Sequence, residues 1–369
     1  TYYSTGFMNG LLAIYKKKDT SPVILKELFN KGLKVLSHRG ATFCTSFTMD
    51  KELLYPGSSN RIARLITGSS SVANNTSHIA SGNGNLLLFN GRLLNKAELC
   101  QELSAKTEQF SDSDIVLQLI KREGCHCFKR LKGFWSLIYL DSENKTIYGA
   151  RDHFGCRPLY FCNNGEQFAL ASESRTLYTL FDDIRNINRR TVIDYLLWGN
   201  IGQQDQYFFN DIHSVEPSHF VKYEVDSDKL TIERYYTLPY NHSKESYNSN
   251  AGKQYSDKLN NMLTDSLQKN MQLFNGPLAI GVSGGMDSSS LLCLAKKLDP
   301  QRSLVAYTTT DTYDGGEAYW AEKVVRHTGV EWVKVLCRSE DVLEYLADVN
   351  RIHSAPVYNP SSFAQYRMM

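Results

Sequence analysis

No apolar stretch in this sequence of 369 residues approaches the ~20 residues that a membrane-spanning helix needs. Its first residues do not read as a secretory signal peptide either. These two absences give the expectation of a cytoplasmic protein without a membrane partner. Neither sign of charge is in excess: 41 Lys and Arg stand against 39 Asp and Glu, a net +2, so bulk electrostatics predicts no nucleic-acid partner. Cysteine pairs at metal-ligand spacing are missing too. The eight cysteines are scattered, and only Cys125 and Cys127, flanking His126, stand close together. With no second pair to complete four ligands, reduced thiols are expected rather than a zinc site. The Asn-x-Ser/Thr triplets at Asn74, Asn75 and Asn241 are then chance matches, because glycosylation requires secretion. No internal repeat is visible, and Gly82-Asn83-Gly84-Asn85 is too short and wrongly placed for a dinucleotide fingerprint.

What is present is an ordinary globular composition, 42% hydrophobic and 22% charged, in a chain longer than one hydrophobic core usually supports. Two domains are the default. Residues 9–236 are rich in short β-branched or aromatic runs, at 86–91, 133–141, 146–152, 157–161 and 168–173. Gly, Asn and Asp turns separate them, as in a layered antiparallel architecture. Helical spacing is seen over 23–38, with Ile24, Leu25, Leu28, Leu33 and Leu36 on one face, and again over 114–122. Residues 240–254 are polar and lack periodic apolar positions, which predicts a linker. Beyond them the period changes. A helix is expected over 255–274, with Leu259, Met262, Leu263, Leu267 and Met271 on one face. Strands at 277–282, 304–310 and 331–337 then alternate with helices at 287–298 and 318–330. That alternation implies a parallel sheet with Rossmann-like winding. The chain opens on Thr1 and closes on Met369 inside a helical stretch, so both ends read as cuts.

The stretch AIGVSGGMDSSSLL, residues 279–292, joins a strand to a helix through two glycines, an acid and three serines. Gly284 and Gly285 allow a sharp turn that brings backbone N–H groups close to an anion. The following helix adds its positive end, and Ser283, Ser288 and Ser289 offer hydroxyls to phosphate oxygens. Asp287 would repel bare phosphate and suits Mg²⁺ on a nucleotide. The lysine of a Walker-type loop is absent. An ordinary turn with a polar helix start is the competing reading.

VSGGMDSSSLL resembles the pyrophosphate loop of ATP pyrophosphatases of the asparagine synthetase type. The resemblance extends to LKGFWSLIYLDSENKTIYGARDHFGCRPLYF (131–161), ASE (171–173), FNDIHSVEPSHFVKY (209–223) and SAPVYNPSSFAQY (354–366). It implies an α+β domain of the Ntn-hydrolase type, with αββα layered antiparallel sheets, at 9–236 after a leader at 1–8. A linker at 237–254 would lead to an α/β parallel-sheet ATP-pyrophosphatase domain, incomplete, at 255–369. The family's second acidic Gly-rich motif, which supplies another Mg²⁺ ligand, is not among these residues.

In that family the first domain hydrolyses glutamine with an N-terminal cysteine. MNGLLAIY (8–15) matches the segment that begins Met-Cys-Gly-Ile, so Asn9 stands where the nucleophile belongs, and an amide nitrogen is no nucleophile at neutral pH. Asn90-Gly91 matches the oxyanion-hole pair. Arg39, in His-Arg-Gly, and Asp112 match other parts of the glutamine site. Arg92 replaces the glutamate that helps bind the substrate amine. The implied glutaminase is inactive. Thr1 as a processed nucleophile is the competing reading, eight residues out of register.

For the second domain the resemblance implies an AMP-forming carbon–nitrogen ligase of amino-acid biosynthesis, using ATP and Mg²⁺. A carboxylate, aspartate or an analogue, would be activated as acyl-AMP, with Asp287 on Mg²⁺ and Thr308 and Thr309 flanking adenine. The partners expected are a small-molecule carboxylate and an amine donor, with a homodimer left open. Ser354-Ala355-Pro356 stands where many relatives carry Asp-Glu-Pro. Two alternatives remain: a cyclase of the β-lactam-synthetase or lasso-peptide-cyclase type, and a non-catalytic nucleotide-binding homologue.

Overall fold

The computed structural model describes residues 10–16, 22–39, 44–49, 63–68, 79–82, 84–104, 110–181, 186–199, 207–240, 248–311, 316–357 and 359–369. Asn9, Asn74, Asn75, Asn83 and Asn241, all named above, lie outside them, as does Thr1. Contacts between Cα atoms divide the chain into two units, one spanning Ser4–Leu238 and the other containing Pro239–Met369.

The first unit is built on two six-stranded antiparallel sheets. One has the order β10-β8-β9-β1-β3-β2. Its strands are β1 (Leu11–Lys16), β2 (Cys44–Met49), β3 (Ala63–Gly68), β8 (Tyr160–Asn163), β9 (Gln167–Ala171) and β10 (Ile212–Ser214). The other has the order β12-β11-β7-β6-β5-β4. It contains β4 (Ile79–Gly82), β5 (Asn85–Leu93), β6 (Gly133–Asp141), β7 (Thr146–Arg151), β11 (His219–Glu224) and β12 (Lys229–Arg234).

Side chains of successive strand residues point to opposite faces, and the burial pattern uses that alternation. Leu86 and Leu88 of β5, with Ile138 and Leu140 of β6, join Leu11 and Phe168 of the facing sheet in one core. The intervening residues Leu87, Phe89, Leu137 and Tyr139 turn to the other side. There they meet Ile115, Val116 and Leu119 of helix α3 (Asp112–Glu123). A short helix, α2 (Lys96–Glu102), adds Leu99 and Cys100 to that layer.

On the first sheet, Gly32 of α1 (Pro22–Leu36) lies against Leu12 of β1 and Leu180 of α4 (Ser174–Leu180), and α5 (Arg189–Trp198) follows in the chain. The result is the αββα layering that the family resemblance implied, on the layered antiparallel strands that the sequence pattern anticipated. Sequence and structure differ on α1: Ile24 is 50% exposed, and Phe29, Gly32 and Leu36 form the buried side. The expected stripe was therefore partly misplaced, because Ile24 lies at the start of the helix, on its exposed side. The strand expected at 157–161 starts only at Tyr160, since Cys156 and Arg157 belong to a turn organised by Asp152.

Fully buried Asp152 accepts backbone N–H groups from Trp135 and Arg157 at 3.1 Å each and from Phe154 and Cys156 at 3.0 Å each. Four fixed donors converge on one carboxylate, so Asp152→Asn turns an NH₂ group against two of them. We expect that variant to lose about 2–3 kcal/mol of stability in denaturant melts, the scale of hydrogen bonds to a charged group. Cys127 is fully buried in the helix-side core, and burial raises its thiol pKa. Burial pushes Cys125 up to about 12. Among the described residues no group of three or more His, Cys, Asp or Glu side chains could hold a metal. No described helix is long and apolar enough to cross a membrane.

In the second unit, helix α6 (Ser249–Gln272) starts within the stretch read as a linker. Asn248 accounts for this, since its side chain accepts the Ala251 N–H at 2.7 Å and caps the helix. The expected apolar face of α6 is covered only toward its C-terminal end: Met271 is buried, whereas Leu259, Met262 and Leu263 are exposed. Strands β13 (Leu278–Gly281), β14 (Leu304–Thr310) and β15 (Glu331–Leu336) form a parallel sheet in that order. Helices α7 (Met286–Leu298) and α8 (Gly316–Thr328) follow the first two strands. Val282, Leu292, Ala295, Leu304, Ala306 and Ala321 fill the core between them. Helices α9 (Val342–His353) and α10 (Pro360–Met368) complete the unit.

Candidate functional site

The Ser-Gly-Gly loop leaves β13 at the carboxyl edge of the parallel sheet, where ligands of open α/β sheets bind. Val282 continues the ladder by donating its N–H to Tyr307 O at 2.7 Å. The chain then turns at Gly284, whose φ is +79°. A Cβ at that position would sit 2.4 Å from Trp320 Cβ and 2.6 Å from Ala321 N, so the loop lies directly on the backbone of α8. Only glycine satisfies both the dihedral and the space.

Gly285 is the N-cap of α7 and provides no side-chain cap. The first N–H groups of α7 thus lack a side-chain acceptor, the feature that makes a helix start an anion site. Ser283 Oγ accepts the Gly285 N–H at 3.3 Å and lies 3.2 Å from Ser288 Oγ. Ser288 Oγ also accepts the Ser283 N–H at 3.3 Å. These contacts are long, and they hold two hydroxyls together at the helix start. Ser289 Oγ is buried without a hydrogen-bond partner among the described residues. Asp287 is exposed in the first turn of α7. A phosphate group fits this donor set: paired hydroxyls, an uncapped helix start and an orphaned hydroxyl. A cation here would bind chiefly through the nucleotide, because Asp287 is the only carboxylate in the loop.

Thr308 and Thr309 have separate roles. Buried Thr308 donates to Val282 O at 2.7 Å and accepts from Trp332 Nε1 at 2.9 Å, so it fastens β13 to β14 and β15. Thr309 is half-buried on the opposite face of the strand.

In the first unit, Asn90 and Gly91 lie side by side in β5, opposite Ser136 and Trp135 of β6. Asn90 is fully buried, and a Cβ on Gly91 would fall 2.1 Å from Phe134 O. Arg92 and Asp112 come together. The Asp112 carboxylate accepts the Leu93 N–H at 3.1 Å and has Lys96 Nζ at 3.8 Å. Burial raises the Asp112 pKa, opposed by the Leu93 N–H and by the Arg92 and Lys96 cations. Burial also lowers the Arg92 pKa, while Asp112 raises it. This acid therefore already has two cations beside it. Arg92→Ala should raise the Asp112 pKa further, which a carboxyl NMR titration would register; an unmoved or lowered value would contradict this pairing.

Arg39 belongs to a different cluster. Its Nε and the Nε2 of His38, the latter at 2.7 Å, both meet Glu173 Oε1. Arg175 Nε donates to Glu173 Oε2 at 3.0 Å, and Arg175 Nη2 donates to His38 Nδ1 at 3.1 Å. His38 Nδ1 also lies 3.1 Å from Val35 O, and Nε2 donates to Glu173. Burial alone would raise the Glu173 pKa, but the His38 hydrogen bond and the Arg39 charge hold it down at about 2. The sequence marked Arg39 and missed Glu173 and Arg175 as its partners. The motif ASE contained Glu173, but nothing local in it announces His38 and Arg39, which come from 135 and 134 residues away.

A layered antiparallel unit with an Asn-Gly pair inside strand β5 and a parallel-sheet unit with a Ser-Gly-Gly loop define a class, an amidotransferase-type domain joined to a nucleotide-type synthetase domain. Residues 8–236 match the glutamine amidotransferase domain family, and residues 258–369 match the asparagine synthase family. The chain belongs to the asparagine synthetase family. It is 25% identical over 289 residues to asparagine synthetase [glutamine-hydrolyzing] 1 of Bacillus subtilis, covering 76% of this chain and 43% of that protein. To asparagine synthetase [glutamine-hydrolyzing] 3 of the same organism it is 22% identical over 287 residues, covering 73% and 45%. Across the curated relatives it matches, the chain spans about half their length, 54% in one archaeal case. Among solved structures it is similar to a glutamine phosphoribosylpyrophosphate amidotransferase of B. subtilis in complex with ADP and GMP. That similarity has a TM-score of 0.42 at 17% identity and covers 88% of this chain and 65% of the other.

Proposed function

We propose that the chain is the amidotransferase-like and nucleotide-binding part of an ATP-dependent amide-forming ligase that does not draw its nitrogen from glutamine. The observation that carries the nucleotide half is the pair Ser283 and Ser288 at an uncapped helix start, reached through the turn at Gly284. In this reading a substrate carboxylate oxygen bonds to the α-phosphorus of ATP as the bond to the β-phosphate oxygen breaks. The leaving pyrophosphate is received by the loop hydroxyls and the N–H groups of α7. An amine nitrogen then attacks the acyl carbon, AMP departs with the C–O electron pair, and the amine loses a proton. Mg²⁺, bound with the nucleotide and touched by Asp287, would neutralise phosphate charge. Aspartate or an analogue is the carboxylate we propose, and free ammonia or a substrate amine is the nitrogen source.

Loss of glutamine use is supported by Asn9 at the nucleophile position and by Arg92 beside Asp112. A substrate ammonium entering there meets a carboxylate whose neighbours are already cationic. No disulfide joins the cysteines among the described residues, which suits a cytoplasmic setting. The nitrogen source is tested in the full-length gene product by supplying either ¹⁵N-ammonium or amide-¹⁵N-glutamine with Mg-ATP and aspartate. We expect label in the product amide from ammonium alone. Equal incorporation from glutamine would sink the proposal that the glutaminase is inactive.

A further inference from the structure

The loop that receives phosphate has no cation of its own. From Leu278 to Ala295 there is no lysine or arginine, and the first two, Lys296 and Lys297, lie in the last turn of α7. Along a helix rising about 1.5 Å per residue, that turn is roughly 15 Å from the loop. Asp287 adds negative charge where a polyanion would sit. A site of this kind takes a cation from a neighbouring element or binds phosphate poorly.

Helix α8 is that neighbour, because Gly284 lies against Trp320 and Ala321 without room for a Cβ. One turn beyond Trp320 stands Lys323. Its ammonium lies 4.4 Å from the centroid of the Tyr319 ring and 4.5 Å from that of Trp320. Both rings are half or more exposed, Tyr319 at 50% and Trp320 at 57%. Side chains on a helix lean toward its N-terminus, and the N-terminus of α8 lies at the carboxyl edge of the sheet, the edge from which the loop departs. Among the described residues no carboxylate lies within salt-bridge distance of Lys323. Neighbouring Arg326, by contrast, pairs with Glu322 at 2.6 Å. The two rings hold the ammonium in place without neutralising it.

We propose that Lys323 supplies the cation missing from the Ser-Gly-Gly loop, contacting phosphate oxygens of bound nucleotide or pyrophosphate from helix α8. This rests on the reading of the loop given above. Tyr319 and Trp320 act as positioning residues, with Trp320 tying the lysine to the loop through Gly284. A lysine from a packed helix would thus do what a Walker-type loop does with a lysine of its own.

The test is calorimetric titration of inorganic pyrophosphate with Mg²⁺ into the full-length gene product and three variants: Lys323→Ala, Lys323→Arg and Ser288→Ala. Lys323→Ala should weaken binding by about tenfold, the scale of one charge-assisted contact. Lys323→Arg should retain most of the affinity. The dependence of binding on added salt should be shallower in Lys323→Ala, a change that a purely structural role would not produce. If Ser288→Ala weakens binding and Lys323→Ala leaves both affinity and salt dependence unchanged, the lysine proposal is overturned and the loop reading stands. If the wild-type protein binds no pyrophosphate, the loop reading fails and takes this proposal with it.

Discussion

Glu173→Gln is expected to destabilise the first unit by about 3–5 kcal/mol, the cost of removing one partner from a buried charge cluster. The side chain of Glu173 is 3% exposed, and those of Arg175 and Arg39 are 9% and 12% exposed. Neutralising the acid leaves two guanidinium groups in a poorly solvated place and turns an NH₂ toward one of them. The network of Arg122 and Arg130 with Glu102 and Glu123 makes as many contacts, yet Glu102 is 47% exposed. Solvent screens that network, so its loss should be minor by comparison. Acid should reproduce part of the Glu173→Gln effect. The folded-state pKa of about 2 lies below the ordinary 4.5, so this stabilisation is fully present above 4.5 and is lost as pH falls toward 2. Thermal melts between pH 6 and 2 should show a steeper acid loss in the wild type than in Glu173→Gln. Parallel curves would mean that the cluster contributes little.

Gly284→Ala is expected to cost the second unit its proposed phosphate site. The new Cβ would need a positive φ, which alone costs an L-residue on the order of 1–3 kcal/mol, and would collide with the backbone of α8. The backbone of a packed helix cannot swing aside like a side-chain tip, so the loop would have to move and separate Ser283 from Ser288. Affinity for Mg-ATP should fall by roughly a hundredfold or more, since several charge-assisted hydrogen bonds at about 1.5–3 kcal/mol each are lost together. Equilibrium dialysis with labelled ATP measures this, and the far-UV spectrum checks that the unit still folds. Binding preserved within about twofold, with the fold intact, would contradict the role given to this turn.

The contrast between these two sites explains what could be read from the sequence. The Ser-Gly-Gly loop is local: strand, turn and helix start are contiguous, and their chemistry shows in eleven adjacent letters. The span of β6, Gly133–Asp141, was legible because its alternation serves two cores at once. The start of α6 was hidden because Ser and Asn, which suggest a linker, also cap helices. The Glu173 cluster could not be read in this way. His38 and Arg39 lie 135 and 134 residues from their acid, and only the packing of α1 beside α4 brings them together. Lys323 was equally silent, although the spacing of Tyr319 and Lys323 by one helical turn was a signal available in the sequence.

The most direct test of the central claim, that this loop serves cleavage of ATP between its α and β phosphates, is exchange of labelled pyrophosphate into ATP by the full-length gene product. The account predicts exchange that depends on added carboxylate and on Mg²⁺ and disappears in Gly284→Ala. Formation of ADP and inorganic phosphate without pyrophosphate exchange would contradict it, because the loop would then be serving γ-phosphoryl transfer.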